Sequence, residues 1–178
     1  MMKSYLLVVF SIFFISACDF HYTFSETQSV PLSQQDFVNS PGFKLDYEVH
    51  IPNSFTSWKP SPENQLVYNP KTQSYILKNL DITGQQIDSW GARFKIASVD
   101  WAHEFAFAKA HDTPEQSKFG IKQDGSVVKL KQIFYASDIY FELPINSHAQ
   151  YLQVEFKVTS DTEQPDALLY IYFTDSII

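Results

Sequence analysis

Gly91-Ala92-Arg93-Phe94-Lys95-Ile96-Ala97-Ser98-Val99-Asp100-Trp101 is the stretch that sets the fold class. Phe94, Ile96 and Ser98 alternate with Arg93, Lys95 and Ala97, the period-two pattern of a strand with one buried face. Chemistry then has to come from the opposite face and from the turn that follows. Lys95 carries its ammonium outward there, and Trp101 arrives just past the strand end, where an indole can be held rigidly at a surface. The residues alone leave open a core role for Trp101, because tryptophan is buried for most of its area on average.

The same periodicity recurs on both sides. Leu45, Tyr47, Val49 and Ile51 alternate with Lys44, Asp46, Glu48 and His50, and Pro52-Asn53-Ser54 ends that strand before a loop closed by Trp58-Lys59-Pro60. Residues 66–68 and 73–78 flank a four-residue connection of hairpin type. Further short strands are expected at 105–109, 119–122, 127–130, 138–143, 151–158 and 167–173, with Asp124-Gly125 supplying the positive φ of a tight turn. In 151–158 the aliphatic and aromatic set Leu152, Val154, Phe156 and Val158 is expected inside, on area. The pattern predicts an all-β fold, an antiparallel immunoglobulin-like β-sandwich of about eight to ten short strands, without an amphipathic helix.

Composition bounds the rest. The 178 residues are 44% hydrophobic and 16% aromatic, enough for one buried core and too little for two large ones. A net charge of -7 argues against nucleic acid, which selects an excess of Lys and Arg on one face. No repeat of fixed period is present, which removes solenoids and propellers.

Residues 1–17 hold one cation, Lys3, an apolar run from Tyr5 to Ile15, then Ser16 and Ala17. That run is too short for the roughly 20 residues that span a bilayer and is expected to be a signal peptide. Ile15-Ser16-Ala17-Cys18 resembles a bacterial lipobox, which implies cleavage before Cys18, lipidation of its thiol and attachment to a membrane. Asp19 next to it implies the inner membrane under the enteric rule; a protein facing the periplasm or the cell surface fits the remaining features. Residues 18–43 are polar, with Pro31 and Pro41, and are expected to be a tether, although Phe20-His21-Tyr22-Thr23-Phe24 alternates and leaves open a packed N-terminal strand. Residues 44–178 form the expected folded domain.

Arg93 to Trp101 resembles the strand-and-tryptophan segment of starch- and glycogen-binding β-sandwich modules, which accompany bacterial pullulanases and amylases and occur in the β-subunit of AMP-activated kinase. Residues 51–60 resemble their first tryptophan turn, and 66–77 their next strand pair. The resemblance spans roughly 46–160 and implies α-glucan or maltooligosaccharide binding, with Trp58 and Trp101 as stacking platforms and Lys95 as a hydroxyl donor. A rigid indole beside a few donors suits a sugar, whose CH-rich face lies on the aromatic plane while its hydroxyls need directional partners. Ile51-Pro52 stands where the modules carry glycine, and their asparagine-bearing loop has no clear counterpart here.

For catalysis the chain offers no nucleophile frame and only scattered carboxylates, expected to form a solvated face, so no enzyme is expected. His103, Glu104, His111 and Asp112 lie close in sequence but fit no metal-ligand spacing, so neither metal nor cofactor is expected. Trp90 could be a third platform or, more in keeping with its place, a plug at a strand edge. The rival expectation is an envelope scaffold whose sandwich binds another protein, for example through a strand edge.

Overall fold

The structure, a computed structural model, describes residues 31–54, 58–83, 92–107, 118–122, 124–143 and 148–178. The expected signal peptide, Cys18, the alternation at 20–24, Trp90, His111 and Asp112 lie outside the described residues. Among the described residues the chain forms eleven strands, one short α-helix and one 3-10 turn, so the all-β expectation holds.

Eight strands close on one another. In order around the ring these are β1 (Val49–His50), β2 (Gln65–Asn69), β3 (Ser74–Asp81), β10 (Tyr151–Val158), β11 (Asp166–Thr174), β8 (Ser126–Ile133), β6 (Glu104–Ala106) and β5 (Ile96–Ser98). β1 pairs with both β2 and β5, which closes a barrel where two separate stacked sheets were expected. The ring is closed through short contacts: β1 meets only Gln65 and Leu66 of β2, and β6 only Lys131 to Ile133 of β8. The other strands, β4 (Arg93–Phe94), β9 (Ile139–Glu142) and β7 (Lys118–Gly120), form a three-stranded sheet. Here the antiparallel expectation needs correction: β7 and β9 run parallel, because β8 lies between them in the chain and returns it to the same end.

The alternation read from the sequence lines the interior. Leu152, Val154, Phe156 and Val158 of β10 are at most 1% exposed, opposite Leu169 and Ile171 of β11 and Tyr75 and Leu77 of β3. Phe105 packs its ring edge against Phe156 at 4.9 Å, and Phe94 of the small sheet meets Phe141 at 5.8 Å, so both sheets share one core.

β10 also buries Lys157 on its outer face, and the cause lies in the stretch expected to be tether. Ser33 caps α1 (Gln34–Asn39): Asp36 N donates to Ser33 Oγ, and Ser33 N donates to Asp36 Oδ2, a capping box. The helix buries Phe37 against Tyr170, with Leu32, Val127 and Tyr172 around them. Lys157 then reaches from β10 to the helix C-terminus and donates to the carbonyls of Phe37, Val38 and Ser40 at 2.8, 3.3 and 3.3 Å. Those are the carbonyls an α-helix cannot satisfy internally. Phe43 bridges to Val158, so residues 33–43 are docked on the barrel rather than extended away from it.

Candidate functional site

The predicted strand 93–98 is real but divided between partners. Its first part, β4, pairs with β9; its second, β5, lies in the barrel between β1 and β6. Both parts share the edge of residues 51–54: Lys95 N donates to Pro52 O, and Ser54 N to Arg93 O. Arg93 and Lys95, two residues apart, therefore stand on one face at the junction of the two sheets, with Phe94 and Ile96 buried opposite.

Each of these cations sits over one of the predicted tryptophans. The Arg93 guanidinium is 5.2 Å from the Trp58 ring centroid and the Lys95 ammonium 5.9 Å from that of Trp101. Arg93 Nε donates to Asp138 Oδ2 at 3.0 Å, and Lys95 Nζ is 4.0 Å from Asp138 Oδ1. The three residues expected to form the site, Trp58, Lys95 and Trp101, are thus linked through Arg93 and Asp138.

Local hydrogen bonds explain how both indoles are held. Trp101 occupies the turn between β5 and β6, where Trp101 N donates to Ser98 O, Ser98 N to His103 O and His103 N to Ser98 Oγ. Asp100 accepts from the Ser98 hydroxyl at 2.6 Å and from Ala102 N at 3.1 Å; the hydroxyl first, then the amide, hold its carboxyl below the usual carboxylate range. Trp101 itself is 38% exposed. Trp58 is half-buried, and its turn is fixed by Asn64, which donates to Lys59 O and accepts from Ser61 N. Both tryptophans have left-handed backbones, φ 59° for Trp58 and 62° for Trp101, a conformation that is strained for bulky residues.

Lys95 is more enclosed than an outward lysine. Its ammonium donates to Glu104 Oε1 at 2.8 Å and to Ala136 O at 2.7 Å, which occupies two of its three N–H bonds within the protein. Glu104 Oε2 in turn accepts from Ala136 N at 3.0 Å. Glu104 is 6% exposed, so this carboxylate is a buried ion-pair partner and not part of a solvated face. His103 stacks on Tyr47 at 4.2 Å and meets Gln132 Nε2 through Nδ1 at 2.6 Å. Among the described residues no three His, Cys, Asp or Glu side chains gather as a metal site.

An exposed aromatic pair near these residues in the chain went unread in the sequence. Phe134 and Tyr135 follow β8, 75% and 80% exposed, on the loop whose Ala136 the Lys95–Glu104 pair grips. The available signal was an adjacent aromatic pair just beyond a strand end, the same kind of placement that singled out Trp101. Chemically the arrangement is a polar base, two cations against two carboxylates, under aromatic loops. Both carboxylates are paired, Asp138 with Arg93 and Glu104 with Lys95. No family description, curated protein or solved structure matches this chain.

Proposed function

We propose that this chain is a non-catalytic binding module of the bacterial cell envelope that takes a neutral oligosaccharide, in the first place an α-glucan or maltooligosaccharide, by stacking on tryptophan. The observation that carries the reading is Trp101, an indole held in a strained, hydrogen-bonded turn with its side chain at the surface beside Lys95. A pre-ordered ring loses little rotamer freedom on binding, and an open site of this kind gives affinities of about micromolar to millimolar. Trp58 contributes the second ring, and Lys95 orients the site more than it reaches for hydroxyls. On this reading the closed sheet is a variant of the immunoglobulin-like sandwich of starch-binding modules. A lipid on Cys18 holds the domain at the membrane, facing the periplasm, with Asp19 favouring the inner membrane, or at the cell surface. Cys18→Ser moves the protein to the soluble fraction; persistence with membranes would contradict the anchor.

The exposed Phe134-Tyr135 pair favours a second reading, an envelope scaffold that docks a protein. Calorimetric titration separates the two. Saturable heat with maltoheptaose and none with cellohexaose supports the glucan module, while a folded chain that binds neither sugar transfers the case to the protein partner.

A further inference from the structure

Phe134 and Tyr135 carry the highest fractional exposure of the large apolar side chains among the described residues. Their rings meet at 4.1 Å and 62°, and Tyr135 has φ 56°. A left-handed backbone costs about 1–2 kcal/mol for a residue with a Cβ. Burial does not offset that cost here, since the side chain stands in water, and Gly or Asn would hold the same turn more cheaply. The fold does not need a tyrosine at this position.

Nor is the loop loose. Ala136, the next residue, is 4% exposed and fixed through both backbone groups, its N–H on Glu104 and its carbonyl on Lys95. Asp138 adds a third tie, to Arg93. The ammonium that grips Ala136 O at 2.7 Å is the one 5.9 Å from the Trp101 ring centroid. Two exposed aromatic loops therefore meet one part-buried polar base. Within that base Arg93 and Lys95 balance Asp138 and Glu104, and the Asp100 carboxylate stands next to Trp101, so the surface above does not favour an anionic ligand.

We infer that Tyr135, braced edge-on by Phe134, is a third stacking platform beside Trp101 and Trp58, and that the ligand is an oligosaccharide long enough to reach from the Trp101 loop onto the Tyr135 loop. The inference rests on the carbohydrate reading. Each platform holds one sugar ring; a further platform on a separate loop, tied to the Trp101 side through Lys95 and Glu104, rewards a longer chain by joining weak contacts into one binding event.

The test titrates the full chain with maltose and with maltoheptaose in wild type, Tyr135→Ala, Tyr135→Trp and Trp101→Ala, each checked for native circular dichroism. Tyr135→Ala is expected to weaken maltoheptaose binding by tenfold or more while leaving maltose binding unchanged, and Tyr135→Trp to restore it. If Tyr135→Ala binds maltoheptaose as wild type does while Trp101→Ala loses it, the Tyr135 platform is overturned and the reading on Trp101 and Trp58 stands. If folded wild type binds neither sugar, both fall together.

Discussion

Trp58, Trp101 and Tyr135 share a left-handed backbone; Trp58 and Trp101 face Arg93 and Lys95, and Tyr135 precedes Ala136, which Lys95 and Glu104 hold. Strain of this kind persists only where surrounding bonds over-determine it, as those of Ser98 and Ala136 do beside Trp101 and Tyr135. Gly125 shows the opposite solution. Its φ of 92° suits glycine, and an added Cβ would run into the Tyr170 ring, whose hydroxyl donates to Asp124 O. Gly125→Ala is therefore expected to lower stability by about 2 kcal/mol or more, read as a lower urea midpoint with unchanged slope. A midpoint equal to wild type would mean that the turn can relax away from Tyr170. The Asp124-Gly125 turn was plain in the sequence; the tyrosine that restricts it comes from a strand more than forty residues on and carries no local signal.

Elements were legible where one face is buried and obscured where both are. β10 was found with its bounds intact, yet its alternation hid the burial of Gln153 and Lys157 on the outer face. Gln153 fills a bulge, accepting from Asn79 N and donating to Asn79 Oδ1, and Lys157 closes α1. A six-residue helix in a polar stretch has too few turns to show amphipathic periodicity, so only Phe37 and the Ser33–Asp36 capping spacing could have betrayed it. Removal of the ammonium leaves three helix-end carbonyls without their donor. Lys157→Met, which keeps the apolar stem, is expected to cost about 2 kcal/mol and to open residues 33–43 to proteolysis while the barrel stays folded. Unchanged protection of that segment would show that Phe37 alone docks the helix.

Across the whole molecule the all-β class was readable from period-two patterns, whereas closure was not. Whether β1 also meets β5 depends on long-range pairing that local hydrophobicity does not encode. Trp58 and Trp101 stood out in the sequence through aromatic placement and Lys95 through its strand register, while Asp138 and Glu104 looked like scattered surface acids because their cations lie distant in sequence or on another strand. The barrel's tyrosines set its alkaline limit. Burial is the main cause that raises Tyr47, Tyr75, Tyr170 and Tyr172 above the ordinary phenol value. Unfolded tyrosines lose protons near pH 10 while these four keep theirs, so stability falls as pH rises through about 10. Burial lowers Lys157, which acts in the opposite sense below about 10.5, but one lysine stands against four tyrosines. The thermal midpoint is expected to drop between about pH 9.5 and 11.5, and a flat or rising midpoint would contradict this assignment.

The most direct test of the binding claim follows the three indole N–H signals by nuclear magnetic resonance during titration with maltoheptaose, with the Trp101 signal assigned by its absence in Trp101→Ala. A saturable shift of the Trp101 signal is expected with the α-glucan and none with cellohexaose. Three unmoved indole signals in a folded protein at millimolar sugar would contradict it.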